Sequence, residues 1–183
     1  MRLLNGYLFG VPLGSSEATE ASWVLPARVV CRPAVRMAFM RSLEAGGVRG
    51  GPTFGAMDDE TLQLYGAAPA FAPGVALGPV VAGSSVSLFY MDGPYVSGWR
   101  DALTQTQPDL HLDWAGWWLT LPGGALPGDG EMQVWWAAAA GAGLCDAQRP
   151  LVFVGRRGER LSVVACVPGD DGPETLPVTW GAS

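Results

Sequence analysis

Residues 110–140 read LHLDWAGWWLTL (110–121), PGGALPGDG (122–130) and EMQVWWAAAA (131–140), and they hold five of the eight tryptophans: Trp114, Trp117, Trp118, Trp135 and Trp136. Side chains alternate faces along a strand, so apolar residues of one parity mark one face. Leu110, Leu112 and Trp114 share one parity, whereas Trp117, Leu119 and Leu121 share the other. Such a switch means that one residue has dropped out of register. It falls at Ala115-Gly116, and glycine is a usual occupant of a β-bulge. Met132, Val134 and Trp136 alternate in the same way, and the Asp129-Gly130 pair between the limbs suits a turn. The stretch therefore reads as a long, bulged hairpin lined with tryptophan. Adjacent residues of a strand face opposite ways, so Trp117-Trp118 and Trp135-Trp136 would each send one ring inward and one outward. These four are the candidates for an interface or ligand surface.

Working outward, the same hairpin character continues. LVFVG and RLSVVACV flank Arg156-Arg157-Gly158, and Val75–Ala82 and Ser85–Met91 flank Gly83-Ser84, a pair suited to a type II′ turn. Thr175–Trp180 reads as a last strand, with Pro177 marking an edge. Ser97 suits the cap of a short turn holding Trp99 and Leu103. Toward the N-terminus, residues 2–9 and 22–31 read as strands, with Pro26 marking the second as an edge or a bulge. Pro33 at a first helical position, helix formers from Ala34 to Ala45 and Gly46-Gly47 behind them predict a helix over 33–45, although Val35, Met37 and Phe39 also alternate as in a strand. GGVRGGPTFG (46–55) reads as an extended loop. Asp58, Asp59 and Glu60 would open a short helical turn reaching Tyr65. GAAPAFAPG (66–74) has linker composition, which divides the chain into 1–74 and 75–183, or leaves one continuous domain. No repeat of fixed period is present. The expected fold is mainly β: an antiparallel sandwich or barrel-like domain built from hairpins, with one or two short helices in the N-terminal third.

The composition of the 183 residues supports that class. Twenty-six glycines and 15 prolines imply many turns. Charged residues make up 15% against 49% apolar, low for a freely soluble monomer, where about a quarter is usual. Part of the apolar surface is then expected to lie against other subunits. Lysine and isoleucine are absent and asparagine occurs once, the codon bias of a GC-rich genome. A net charge of −6, with no basic cluster beyond Arg156-Arg157, argues against nucleic acid and against docking on anionic membranes. The longest apolar run, Val134–Leu144, is too short to span a bilayer, and the N-terminal stretch shows no signal-cleavage pattern. Cys31, Cys145 and Cys166 lack CxxC spacing and read as buried free thiols of a reducing compartment.

Chemistry is sparse. His111 has Asp113 two residues away but no serine elbow and no nucleophilic cysteine context, so it reads as a solvent-facing strand residue. One histidine and three scattered cysteines do not make a zinc pattern. Asp170-Asp171 and Asp129 with Glu131 are acidic loops without EF-hand spacing, and read as turns. GGVRGG lacks the Lys-Ser/Thr of a phosphate loop. No catalytic, cofactor or metal residues are expected, and no enzyme. The leading expectation is a structural subunit of a larger assembly, such as a minor tail, baseplate, fibre or capsid-decoration protein of a tailed bacteriophage. Its partners would be copies of itself and other subunits, and its place the virion, or otherwise the cytoplasm. The alternative is a carbohydrate-binding sandwich that uses outward tryptophans. An enzyme with an unrecognised site ranks last.

Overall fold

In this computed structural model, residues 24–69, 89 and 91–182 are described. In chain order they form β1 (Arg28–Cys31), α1 (Pro33–Ala45), β2 (Arg49–Asp58), β3 (Thr61–Ala67), α2 (Gly93–Thr106), β4 (Asp113–Ala125), α3 (Asp129–Gly141), β5 (Leu151–Arg157), β6 (Arg160–Gly169), β7 (Gly172–Leu176) and β8 (Val178–Trp180). The strands make one sheet in the order β7-β6-β5-β4-β2-β3-β1-β8. The fold is mainly β, as expected, but the sheet is mixed. β4 runs parallel to β5, and β1 runs parallel to both β3 and β8, while the other neighbours are antiparallel.

The last strand sets the shape. β7 pairs with β6 at one edge, β8 pairs with β1 at the other, and only Pro177 separates them. One extended segment thus serves both edges, so the sheet curls until it is nearly a closed barrel. Proline has no N–H to lose at the crossing point, and its carbonyl accepts from Val29 N at 2.9 Å. Closure also answers the edge-strand problem that an open sheet carries. Of the sandwich and the barrel-like domain expected, the structure is an almost closed barrel with a mixed sheet instead of an antiparallel one, and α2 and α3 lie beyond the N-terminal third in which the helices are expected.

β4 is the strand expected in the first limb, with its bulge where the parity switches. Thr53 of β2 pairs with Gly116 and Phe54 with Trp114, which leaves Ala115 as the extra residue. Gly116 adopts φ 124°, and a Cβ there would sit 2.3 Å from the Pro150 carbonyl oxygen. Trp114 and Trp117 accordingly pack on the same side of the sheet.

The second limb corrects the hairpin reading, because residues 129–141 are helical. A parallel pair such as β4/β5 needs a crossover connection, usually a helix. Ala137–Ala140 are strong helix formers, and Asp129 and Glu131 sit in the first turn, where a helix favours negative charge. Over so short a run, Met132, Val134 and Trp136 fit a period of 2, while Met132, Trp135, Trp136 and Ala139 fit 3.6. The latter set packs on the sheet.

Other expectations shift for local reasons. The glycine-dense 46–55 is mostly β2, a central strand rather than a loop. A Cβ on Gly50 would lie 2.9 Å from the Trp118 carbonyl oxygen and 3.1 Å from Trp117 Nε1, so glycine there makes room beside tryptophans. Asp59-Glu60 forms a tight turn from β2 into β3, with Asp59 at φ 50°, in place of a helical turn. Within the described part of the strand expected at 22–31, only β1 is in the sheet, and it lies between β3 and β8. The short turn near Ser97 is the 14-residue helix α2, capped by Asp92, whose side chain accepts from Tyr95 N at 3.2 Å. β5 and β6 pair in register from Leu151↔Cys166 to Arg157↔Arg160, as the hairpin reading expects. The strand at 2–9, the Gly83-Ser84 hairpin and most of the 66–74 linker lie outside the described residues; strands from both sides of residue 74 join the one sheet.

The apolar side chains fall into an inner and an outer layer. Val29 and Leu64 from one side of the order meet Trp118, Val152 and Ala165 from the other, which is possible only across the barrel interior. Val35 and Phe39 of α1 join them, so α1 fills the mouth at the end where β1 stops and β2 starts. Outside, α3 covers Trp117, Leu119, Leu151 and Phe153, and α2 covers Phe54 through Val96 and Leu103.

The bulge gives a direct test. Gly116→Ala should destabilise the fold by at least about 2 kcal/mol in urea titrations, because it combines left-handed strain with a backbone clash. Gly143→Ala, at φ 75° with open space around it, should cost only about 1 kcal/mol.

Candidate interaction surface

The four tryptophans named as ligand or interface candidates are not one patch. Trp117 is fully buried on the outer face of β4, and Trp118 is 2% exposed in the barrel interior. The indole of Trp118 donates to the Ala68 carbonyl at 2.7 Å, and its ring lies 5.7 Å from that of Phe39. A buried donor needs such a partner. Strand alternation thus holds for this pair, but both faces of β4 are covered: one by α3, the other by α1. Neither ring is offered to solvent. Trp135 and Trp136 are half-buried on α3, where Trp135 packs against Phe89 at 6.0 Å between centroids. Nε1 of Trp136 and of Trp117 are buried without a partner, as is the Thr53 hydroxyl.

The exposed rings are others. Trp99 stands beside Tyr95 on α2, edge to face at 6.5 Å. Trp180, at the end of β8, is 38% exposed, and the Arg36 guanidinium lies 5.6 Å from its ring centroid. Arg36 is on the flank of α1, four residues before Met40. Helix periodicity puts Val35, Phe39 and Leu43 inward, so Met37 and Met40 look outward, 49% and 36% exposed. Trp180, Arg36, Met40 and Met37 therefore make a continuous strip on the α1 end of the barrel. Sequence reading passed over Trp180 because a lone tryptophan in an edge strand carries no special signal; its exposure depends on where β8 ends.

The polar candidates do not converge into a reaction centre. His111 is exposed and precedes β4 instead of lying within a strand; it lines a surface groove with Asp101, Gln105 and Asp113. The Asp113 carboxylate accepts from Trp114 N at 2.8 Å. The two acidic loops do meet, since Asp129, Asp170, Asp171 and Glu174 line one open groove with Gln133. Among the described residues, however, no three His, Cys, Asp or Glu side chains are grouped to hold a metal ion. Gly46 and Gly47 close α1 at positive φ and the chain enters β2, so GGVRGG does not form a phosphate cradle. Among the described residues no helix is long and apolar enough to cross a membrane.

All three cysteines are free and buried. Burial pushes the thiol of Cys31 from an ordinary value near 9.0 up to about 12. It does the same for Cys145, to about 12, with added repulsion from Asp146 and Cys166, and it lifts Cys166 to about 11. Such thiols are inert, because the thiolate is the reactive form.

No family model matches the chain, and no curated protein matches it significantly. Among solved structures, the chain is similar to the solution structure of protein DSY2949 from Desulfitobacterium hafniense. The TM-score is 0.50 and the identity 9%, over 85% of this chain and 94% of that one. At that identity the likeness concerns the fold.

Two measurements check these placements. Trp118→Ala removes an interior ring and should cost about 3–5 kcal/mol of stability, whatever the chain binds. For the thiols, the unfolded chain releases protons near pH 9, while the folded one holds them until about pH 11 to 12. Their contribution to stability is therefore complete below pH 9 and is lost as pH rises through that window. Urea midpoints should fall from pH 8.5 to pH 10.5, and less so in a Cys31→Ala variant measured against its own value at pH 8.5.

Proposed function

We propose that this chain is a non-enzymatic structural subunit that works by docking into a larger assembly. The observation that carries the reading is the strip at the α1 end: an arginine-stacked, partly exposed Trp180 beside two outward methionines. Tryptophan, arginine and methionine are the residues enriched at interface cores, and a rigid aromatic with an arginine over it is a typical energetic anchor. The flanking strand and helix are themselves held by the barrel, so the strip is presented without an ordering cost on binding. The low share of charged residues fits the same reading, since surface that is poor in charge is best accommodated against neighbours. The tail, baseplate, fibre or capsid-decoration layer of a tailed bacteriophage particle is the setting proposed, with further copies and other structural subunits as partners.

Trp180→Ala tests this. Removing the ring should weaken association by roughly 2 kcal/mol or more, seen as a lower mass by light scattering behind size exclusion. Thermal stability should change much less, because the ring is partly exposed at the end of the last strand. A chain that is monomeric at all concentrations, or whose association ignores the substitution, would sink the proposal.

A further inference from the structure

The seam of the barrel is not bonded along its whole length. Pro168 and Pro173 face each other across β6 and β7, and neither has an N–H to give, so this pair exchanges no hydrogen bonds. Bonded and non-bonded pairs alternate in an antiparallel ladder. Cys166 and Thr175 are therefore a non-bonded pair too, and the N–H and carbonyl of Thr175 point away from β6, toward β1. The Pro177 carbonyl points the same way and is taken by Val29 N. Continuing the parallel register of β1 and β8 would offer Ala27 N to the Thr175 carbonyl. That donor goes instead to the Glu60 carbonyl at 2.8 Å. The chain before β1 thus leans on the β2–β3 turn, where Val24 and Ala27 line a groove with Asp58, Asp59 and Glu60. Among the described residues, both backbone groups of Thr175 and the carbonyl of Pro173 are left without a partner.

This free edge runs along a groove that α3 completes. Cross-strand partners share a face, so Thr175 and Pro173 lie on the side of Cys166, which α3 covers. Met132 and Gln133 of α3 line the groove with them. An exposed strand edge takes up an extended peptide as an added strand, and the surface beside it reads alternate side chains. Here that surface selects by charge. Asp129, Asp170, Asp171 and Glu174 line the groove and no arginine does. None of these carboxylates has a hydrogen bond or ion pair among the described residues.

We propose that β7 takes up an extended, basic segment of a partner protein as a further strand, in the groove between β7 and α3. In an antiparallel register, one incoming residue exchanges both backbone bonds with Thr175. The next residue but one donates to the Pro173 carbonyl. These two incoming residues share the face of Thr175 and Pro173, so lysine or arginine there meets the carboxylates. The residue between them points to the opposite face, where Leu176 is half-buried against the interior, and an apolar side chain suits it. Main-chain bonds hold the segment, and the carboxylates reject an acidic one. The surface is separate from the Trp180 strip, and the inference goes beyond the assembly reading without resting on it.

Amide hydrogen exchange read by NMR on the full chain tests this, with the end-blocked pentapeptide Val-Arg-Val-Arg-Val as probe. The Thr175 amide should exchange freely in the chain alone and slow roughly tenfold or more at saturating peptide. Val-Glu-Val-Glu-Val should bind at least about tenfold more weakly. The same should hold for the arginine peptide with both arginine amides N-methylated, since those N–H groups are the donors to β7. Thr175→Pro removes an N–H that points away from β6, so native circular dichroism should persist while peptide binding falls. If that variant fails to fold, the N-methylated peptide on the wild-type chain still decides. No binding, or binding that tolerates N-methylation or leaves Thr175 exchange unchanged, would overturn the proposal. So would a Thr175 amide already protected in the chain alone: independent of concentration, it makes a segment of the chain itself the occupant, and rising with concentration, a second copy. Self-association and its loss in Trp180→Ala are read separately, so the two proposals fail independently.

Discussion

The segment Gly172–Trp180 has two hydrogen-bonding obligations that no flat sheet can meet. Its first half belongs to β6 and its second half to β1, at opposite ends of an eight-strand order. Chain continuity through Pro177 therefore forces the sheet round on itself. Once it is round, one face of every strand looks into a shared interior. That interior must be filled, and at the mouth it is α1 that fills it, through Val35 and Phe39 against Trp118.

This geometry decides what the tryptophans are for. On an open, one-sided sheet, the Trp117-Trp118 pair would leave one ring in water. In a barrel with helices outside, both rings are core, each worth several kcal/mol of burial. Small neighbours make the space that the outer ring needs: Gly50 beside the Trp117 indole and Ala139 on α3. Exposure is then moved to the places where elements stop, so Trp180 at the end of β8 and the methionines of α1 become the accessible apolar side chains.

Some of this was legible without coordinates. The parity switch at Ala115-Gly116 marked the bulge, since one absorbed residue is the only way a period of 2 can change phase within a strand. Gly158 after two arginines marked the β5–β6 turn, and cysteine spacing marked free thiols. Mainly β character followed from the apolar alternation and the glycine and proline content. The same local signals misread 131–140, where periods of 2 and 3.6 coincide over a few residues, and 49–58, where glycine spares room beside tryptophan and does not signal a loop. What tertiary structure alone decided was pairing: which strands run parallel, that one strand serves both edges, and hence which rings are buried and where each charge faces. Hydrogen bonds between segments distant in sequence set those, and no local pattern of side chains records them.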